Sequence, residues 1–421
     1  VSELKSIALA ARRLREQKET FLLATIVAVQ GSSYRRPGAR MLIAGDQRVA
    51  GSVSGGCLER ELIQRGWWHT RDGRPALLTF DSRGDGDGND GDRLVDIHAR
   101  TGCGGVVEIL LERVGPDAEA DPLAPVETAL GSETEVGLLT IFRSTRPELP
   151  VGTRRVLPAL PDTNPRLASP AAMPKLTPTA TATAVLTPAP VAALIDRARR
   201  ELADSGRPFA TVALPDGSVV ALAEQLRPPP HLFVLGAGPD AVPVVDLALT
   251  LGWQVAVWDA QSRAETRRRF AASDHVHAGP PAGARERIDA SARPLAVVMS
   301  HNYEHDRQAL AMLLPSRALY IGVLGPRRRT DRLLADLGRS DVALAHTVAN
   351  ALADDEPRLH APVGLHLGAE TPQEIALSVI AEAQAVLAGA SAVPLRELSR
   401  ARGIHAAATP QPATLAQRAV R

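Results

Sequence analysis

Leu232-Phe233-Val234-Leu235-Gly236-Ala237-Gly238-Pro239-Asp240-Ala241 is the stretch that decides the fold of the second half of this chain. Four apolar residues bounded by a glycine turn read as a buried strand, and the turn opens directly into a helix over Asp240–Leu251. Gly236 permits the tight turn, Gly238 lets backbone approach a pyrophosphate, and Ala241 keeps the helix close to the sheet. The helix N-terminus adds N–H donors for phosphate. A second strand follows at Val255–Trp258, and Asp259 ends it where a carboxylate can accept hydrogen bonds from ribose hydroxyls. Strand, turn, helix, strand and acid in this order predict a Rossmann-like, doubly wound parallel sheet.

The alternation continues outward from that core. Strands are expected at Leu295–Met299 and Leu319–Leu324, a helix at Tyr303–Leu314, and a basic helix opened by Gly325-Pro326. The closing helix announces itself, with Thr371 as N-cap, Pro372 in the first helical position and Glu374 completing a capping box. Arg227-Pro228-Pro229-Pro230 reads as a stiff hinge, so the Rossmann-like domain spans 227–389 and residues 390–421 form a flexible tail.

Residues 1–226 predict a strand-rich α/β N-terminal domain, which makes the whole chain α/β. An amphipathic helix over Val1–Glu16 carries Leu4, Ile7, Ala8, Ala11 and Leu14 on one face. Strands follow at Phe21–Val29, Arg40–Ala44, Val49–Val53 and Val106–Leu111. A helix at Val191–Ser205 precedes two strands around Thr211 and Val219, joined by the turn Pro215-Asp216-Gly217. The Pro, Thr and Ala content of residues 147–190 predicts a flexible insertion.

Composition narrows the function classes. The chain has 421 residues, 45% of them hydrophobic, which is enough for two cores. Its 48 Lys and Arg nearly balance 47 Asp and Glu and are dispersed, which argues against nucleic acid as the main partner. No apolar run reaches the length of a signal peptide or a membrane span, so no membrane partner is expected. Cys57 and Cys103 are the only cysteines, too few for a disulfide framework, and they fit reduced thiols in a cytoplasmic protein.

Three glycine-rich stretches carry a family resemblance: Gly31-Ser32-Ser33-Tyr34-Arg35-Arg36-Pro37-Gly38-Ala39-Arg40-Met41, Gly51-Ser52-Val53-Ser54-Gly55-Gly56-Cys57-Leu58-Glu59 and Gly102-Cys103-Gly104-Gly105. In the second half, Met299-Ser300-His301, Gly325-Pro326-Arg327-Arg328 and Gly368-Ala369-Glu370-Thr371-Pro372 agree with it. The chain resembles the xanthine dehydrogenase accessory (XdhC/CoxI) family. The resemblance implies a maturation factor that binds molybdenum cofactor (molybdopterin), assists its sulfuration with a cysteine desulfurase and delivers it to a molybdenum hydroxylase client such as xanthine or carbon monoxide dehydrogenase. The chain departs from the family in the long insertion, in the Asp/Gly-rich loop Gly84–Asp92, and in Pro326 where Ser is usual. A homo-oligomer is expected.

The residues suit such a ligand. A pterin dithiolene is soft at sulfur and anionic at its phosphate, so it calls for thiolates near the metal and cations near the tail. Cys57 and Cys103, read as lying in glycine-rich loops, are candidate molybdenum contacts; Arg35, Arg36 and Arg40 are candidate phosphate contacts, joined by Arg327 and Arg328 at the start of their helix. Each cysteine equally fits a small buried residue at a tight turn. The alternative is an NAD(P)-dependent oxidoreductase in the same crevice, with His301 or Tyr303 as proton donor. His301 and His305 have metal-ligand spacing but no third partner. Asp85, Asp87, Asn89 and Asp96 loosely echo a calcium loop, with Asp90 and Asp96 breaking its pattern. His275, His277 and His360 read as structural or surface residues.

Overall fold

A computed structural model describes residues 2–31, 33–81, 105–116, 121–131, 135–157, 189–260, 264–270, 275–340, 344–352 and 358–397. The chain divides into two compact units, Val1–Pro228 and Pro229–Arg421.

Unit 1 contains α1 (Ser2–Glu16), β1 (Phe21–Gly31), β2 (Arg40–Ala44), β3 (Gln47–Gly51), α2 (Cys57–His69), β4 (Ala76–Asp81), β5 (Gly105–Val114), α3 (Ala124–Gly131), β6 (Val136–Ser144), β7 (Arg154–Leu157), α4 (Ala189–Ser205), β8 (Phe209–Ala213) and β9 (Val219–Leu226). Two antiparallel sheets result, ordered β3-β2-β1-β5-β4 and β7-β6-β9-β8. Strand alternation sets what β1 packs against. Leu22, Ala24 and Ile26 join Leu58 and Leu62 of α2 in one core. Phe21 and Leu23 join Ile7, Ala11 and Leu14 of α1 and Val126 of α3 in another. The β1–β5 register shifts between Ile26 and Ala28. There Val27 and Ala28 cluster with Phe142 of β6 and Leu222 of β9, so the two sheets share a core.

Unit 2 contains β10 (His231–Leu235), α5 (Ala241–Thr250), β11 (Gln254–Asp259), α6 (Ala264–Arg269), β12 (His275–Ala278), α7 (Arg285–Ala290), β13 (Pro294–Val298), α8 (Tyr303–Leu313), β14 (Tyr320–Val323), α9 (Arg327–Ser340), α10 (Ala345–Leu352), β15 (Leu359–His360) and α11 (Pro372–Ala388). Its six strands are all parallel, in the order β12-β11-β10-β13-β14-β15. This is the doubly wound dinucleotide-binding order, with the direction of winding reversing between β10 and β13. Both faces of the sheet are covered. Phe233, Leu235 and Val298 pack with Leu310 of α8 and Leu333 of α9, whereas Leu232, Val234 and Val297 pack with Val244 of α5 and Val379 of α11.

Helix α11 starts as its sequence predicts. The Thr371 hydroxyl accepts from the Glu374 amide at 3.3 Å, and the Glu374 carboxylate accepts from the Thr371 amide at 2.9 Å. The backbone bonds hold the Glu374 carboxyl below its ordinary pKa. Gly389 closes the helix in the left-handed conformation.

The structure corrects two expectations. Cys57 is the first residue of α2, not a loop residue; its N-cap Gly56 (φ 121°) makes no side-chain capping bond, so no capping signature marks the helix start. Residues 147–157 belong to the folded body: Leu149 and Leu157 are buried against Val191 and Leu194 of α4, and β7 pairs with β6. Residues 158–188 and 398–421 lie outside the described residues, as do the Asp/Gly-rich loop and Cys103.

Excising residues 147–190 is therefore expected to remove an edge strand and two buried leucines and to abolish the cooperative melt of unit 1. Scanning calorimetry measures this. An excised protein that keeps the full-length melting profile would contradict the assignment of β7 to the core.

Candidate functional site

Unit 2 holds a crevice at the carboxyl ends of β10, β11 and β13. Gly236 sits at φ 133°, and a Cβ there would lie 2.5 Å from the carbonyl carbon and oxygen of Met299 and 2.6 Å from the Ser300 nitrogen. Only glycine allows the two strand ends this approach. The Gly236 amide donates to Trp258 O at 3.0 Å, and the Met299 amide donates to Leu235 O at 2.9 Å. The cavity measures about 460 Å³ and is lined by the turn Gly236–Pro239, by Asp259 and Thr266, and by Ser300, Asn302 and His305. That volume suits a drug-sized or cofactor-sized ligand.

Charged groups are distributed around the turn. The Asp259 carboxylate accepts from the Thr266 hydroxyl at 2.6 Å, which orients it at the end of β11. Arg269 of α6 donates to Ala237 O at 2.8 Å and pairs with Glu265 at 2.7 Å, so a guanidinium sits beside the glycine turn. Sequence reading missed Arg269; its signal is the run Arg267-Arg268-Arg269 shortly after Asp259. His301 adopts a left-handed backbone (φ 56°), uncommon outside glycine, and its Nε2 meets Asp240 Oδ2 at 2.6 Å. Asp240 Oδ1 lies 2.5 Å from where a Gly238 Cβ would stand. Gly236, Gly238, Asp259 and His301 therefore gather around one turn, with Ala241 fully buried beneath it.

Three predicted residues are placed elsewhere. The Tyr303 hydroxyl donates to Asp336 of α9 at 2.6 Å, and partial burial followed by that carboxylate raises its pKa above the ordinary phenol value. It does not line the crevice; His305, two residues on, does. Arg327 pairs with Asp331 one turn along its own helix at 2.9 Å, and Arg328 is exposed, and neither lines the crevice. The third arginine, Arg329, neutralises the buried Asp306 at 2.6 Å. Asp306 also accepts from the Ser300 amide at 3.2 Å and the Ser300 hydroxyl at 2.5 Å, so this pair shapes the crevice loop from behind. His360 is structural as expected, meeting Glu382 at 3.3 Å, and Glu382 in turn accepts from the buried Tyr320 at 2.7 Å.

In unit 1, Gly31 of β1 pairs with Gly105 of β5, and Asp81 of β4 pairs with Val106, so these strand ends share one end of the sheet. The Arg loop and the stretch leading to Cys57 belong to that end, because the Ser52 amide donates to Arg40 O at 3.0 Å. Glu59, buried, organises the second stretch by accepting from the Val53 and Ser54 amides at 3.2 and 3.3 Å, with Arg48 on its other oxygen. The three arginines divide. Arg35 pairs with Glu3 of α1. Partial burial, and then the like charge of Arg207, lower the pKa of Arg36. Arg40 is the correction: its guanidinium is almost fully buried and bonded to Glu224 at 2.7 Å and Gly38 O at 2.8 Å, which leaves it an architectural ion pair rather than a phosphate contact. Among the described residues, no group of three or more His, Cys, Asp and Glu could hold a metal ion. Nor is any helix among them long and apolar enough to cross a membrane.

Residues 232–383 match the family described as the XdhC Rossmann domain, and residues 14–81 match the XdhC and CoxI family. The chain belongs to the XdhC/CoxI family. Over 371 residues it is 29% identical to a probable xanthine dehydrogenase subunit of Bacillus subtilis (strain 168), covering 88% of this chain and 94% of that protein. Over 154 residues it is 36% identical to "Uncharacterized protein YqeB" of Escherichia coli (strain K12), covering 36% of this chain and 26% of that protein. The crystal structure of a xanthine dehydrogenase from Bacillus halodurans superposes with a TM-score of 0.60 at 23% identity, covering 93% of this chain and 98% of that one. That likeness establishes the shared fold of this XdhC/CoxI member.

The Arg329–Asp306 pair gives a direct test of how the crevice loop is held. Arg329→Met leaves a buried, uncompensated carboxylate and is expected to cost about 3–5 kcal/mol. Urea denaturation reads it; a loss below about 1 kcal/mol would be the behaviour of an exposed pair and would exclude this role.

Proposed function

We propose that this XdhC/CoxI protein is a xanthine dehydrogenase accessory factor that binds molybdenum cofactor, assists its sulfuration and supports its insertion into a molybdenum hydroxylase. The observation that carries the ligand reading is the cradle at Gly236–Ala241: a backbone turn without side chains at Gly236 and Gly238, a helix N-terminus behind it and the Arg269 guanidinium beside it. That combination suits the phosphate of a pterin cofactor or of its dinucleotide form. When bound, the cofactor brings the metal dithiolene that the client enzyme uses. The chain's own residues bind and orient it: Asp259 accepts from hydroxyl or ring N–H groups, and Ser300 and Asn302 offer polar contacts along the crevice. Cys57 and Cys103 supply the soft sulfur donors such a cofactor calls for, with Arg36 and Arg207 as cations in the same unit. A molybdenum hydroxylase as client and a cysteine desulfurase as sulfur source are the partners that this reading requires.

One observation favours the alternative NAD(P)-dependent oxidoreductase. The His301–Asp240 pair at the turn has the form of an oriented acid–base group. Turnover of NADH or NADPH with a carbonyl substrate, lost in His301→Gln, would establish that reading.

The cradle is tested with isolated molybdopterin under anaerobic conditions. A Cβ at Gly238 would meet Asp240 Oδ1 at 2.5 Å and His301 Cδ2 at 3.9 Å but no backbone, so Gly238→Val displaces the Asp240 side chain from His301 and is expected to fold, yet it fills the floor of the crevice. Fluorescence titration should show binding weakened by about a hundredfold, on the order of 3 kcal/mol. Equal affinity in wild type and Gly238→Val would remove the crevice from the proposal. Cys57→Ser and Cys103→Ser are expected to keep the melting temperature while at least one lowers cofactor retention. Unchanged retention in both would remove the thiols.

A further inference from the structure

Unit 1 repeats itself. The turn after β1 has the Ile26 amide donating to Ala39 O at 2.9 Å, the Gly38 amide to Ile26 O at 2.8 Å and the Ala39 amide to Arg36 O at 3.1 Å. After β6, the Ile141 amide donates to Thr153 O at 2.9 Å, the Gly152 amide to Ile141 O at 2.8 Å and the Thr153 amide to Pro150 O at 3.1 Å. Both glycines sit at φ 90°, and both strands shift register at the same isoleucine, between Ile26 and Ala28 and between Ile141 and Arg143. Each isoleucine follows a buried threonine, Thr25 and Thr140. Gly73-Arg74-Pro75 precedes β4 just as Gly206-Arg207-Pro208 precedes β8, each after a helix. The series α1-β1-β2-α2-β4-β5 thus returns as α3-β6-β7-α4-β8-β9, with β3 as an addition to the first.

The matched ion pairs are reciprocal. Arg40, two residues after Gly38, donates back to Gly38 O at 2.8 Å and reaches Glu224 on β9, the last strand of the second series. Arg154, two residues after Gly152, donates back to Gly152 O at 3.1 Å and reaches Glu112 on β5, the last strand of the first, at 2.7 Å. The glycines complete the match, for a Cβ on Gly38 would lie 2.6 Å from Glu224 Oε1 and one on Gly152 3.4 Å from Glu112 Oε1. All four charged side chains are largely buried. Unpaired buried charges are strongly unfavourable, so each glutamate fixes the arginine turn opposite it.

We infer that unit 1 is a tandem duplication of one module whose copies clasp each other through Arg40–Glu224 and Arg154–Glu112, and that Glu224 is a positioning residue for the Arg35–Arg36 turn of the first copy. The copies differ where chemistry would be added. The first connects β4 to β5 through the long segment bearing Cys103, whereas the second makes the same connection through Leu214–Ser218 alone. The first enters α2 through Gly55-Gly56-Cys57, for which the second has no cysteine before α4. Resting on the cofactor function proposed above, the first copy is the ligand-handling half and the second is the frame that holds it.

Hydrogen exchange on the full chain, compared between Glu224→Gln and Glu112→Gln, tests the clasp. Glu224→Gln is expected to speed exchange of the Gly38 and Ile26 amides, in the opposite copy, by about tenfold or more, and Glu112→Gln to do the same at Gly152 and Ile141. Acceleration confined to the strand carrying each substitution would overturn the reciprocal clasp. Where a glutamine variant fails to fold, Glu224→Asp and Glu112→Asp provide the same readout with the charge kept. Anaerobic molybdopterin binding then separates the copies: Glu224→Gln should weaken it by about tenfold, while Glu112→Gln, with a similar loss of melting temperature, leaves it unchanged. Equal effects of the two on binding would overturn the positioning role of Glu224. A wild-type chain that binds no molybdopterin would defeat the cofactor function itself, with the exchange result still deciding the clasp.

Discussion

The backbone contact between Gly236 and Met299–Ser300 is the constraint on which the ligand crevice depends. The turns leaving β10 and β13 approach so closely here that no side chain fits on the first of them, and Gly236 meets that condition at φ 133°. Its consequences extend along both chains leaving the contact. On one side the turn runs straight into α5, directing that helix's N-terminus at the crevice; on the other, Met299-Ser300-His301 bends sharply, with His301 in a left-handed conformation and Ser300 anchored on Asp306. A local conformational penalty at His301 is stabilised by the surrounding bonds, as is common where a loop is shaped for a ligand.

Burial of the partner carboxylate marks the arginines that belong to the framework. Arg40 and Arg329 are bonded to nearly inaccessible carboxylates, Glu224 and Asp306, and act as fixed parts of the framework. Arg269 sits against the glycine turn, donating to Ala237 O and pairing with Glu265 on its own helix. How much of a conspicuous basic motif belongs to the framework therefore depends on partners far away in sequence.

This explains what was legible beforehand. The glycine turn, the parallel sheet and the capping box at Thr371 were readable because each depends on residues a few positions apart, with a steric or hydrogen-bonding reason for every one. Strands β4, β6 and β12 have no clear sequence signal: β12 is a four-residue edge strand, two of whose residues are histidines, and β6 is interrupted by Thr140 and Arg143. Helix α2 begins on Gly56-Cys57 without a side-chain cap, and its one local start signal is Glu59 in the first turn. Nothing near Arg40 in sequence reveals its burial, because its partner, Glu224, lies 184 residues away. The same holds for Tyr303, whose hydroxyl is captured by Asp336, 33 residues further on. The candidate site was thus legible where it is made of backbone, at Gly236 and Gly238, and illegible where it depends on which distant carboxylate captures a side chain.

The central claim is that this chain carries a molybdenum-bearing pterin. The most direct measurement is metal and pterin analysis of the full-length protein purified anaerobically from a molybdenum-replete host. The account predicts molybdenum and pterin in equal amounts, both lost in the Gly238→Val protein. Purified wild-type protein that contains neither, and that carries a nicotinamide dinucleotide instead, would contradict it.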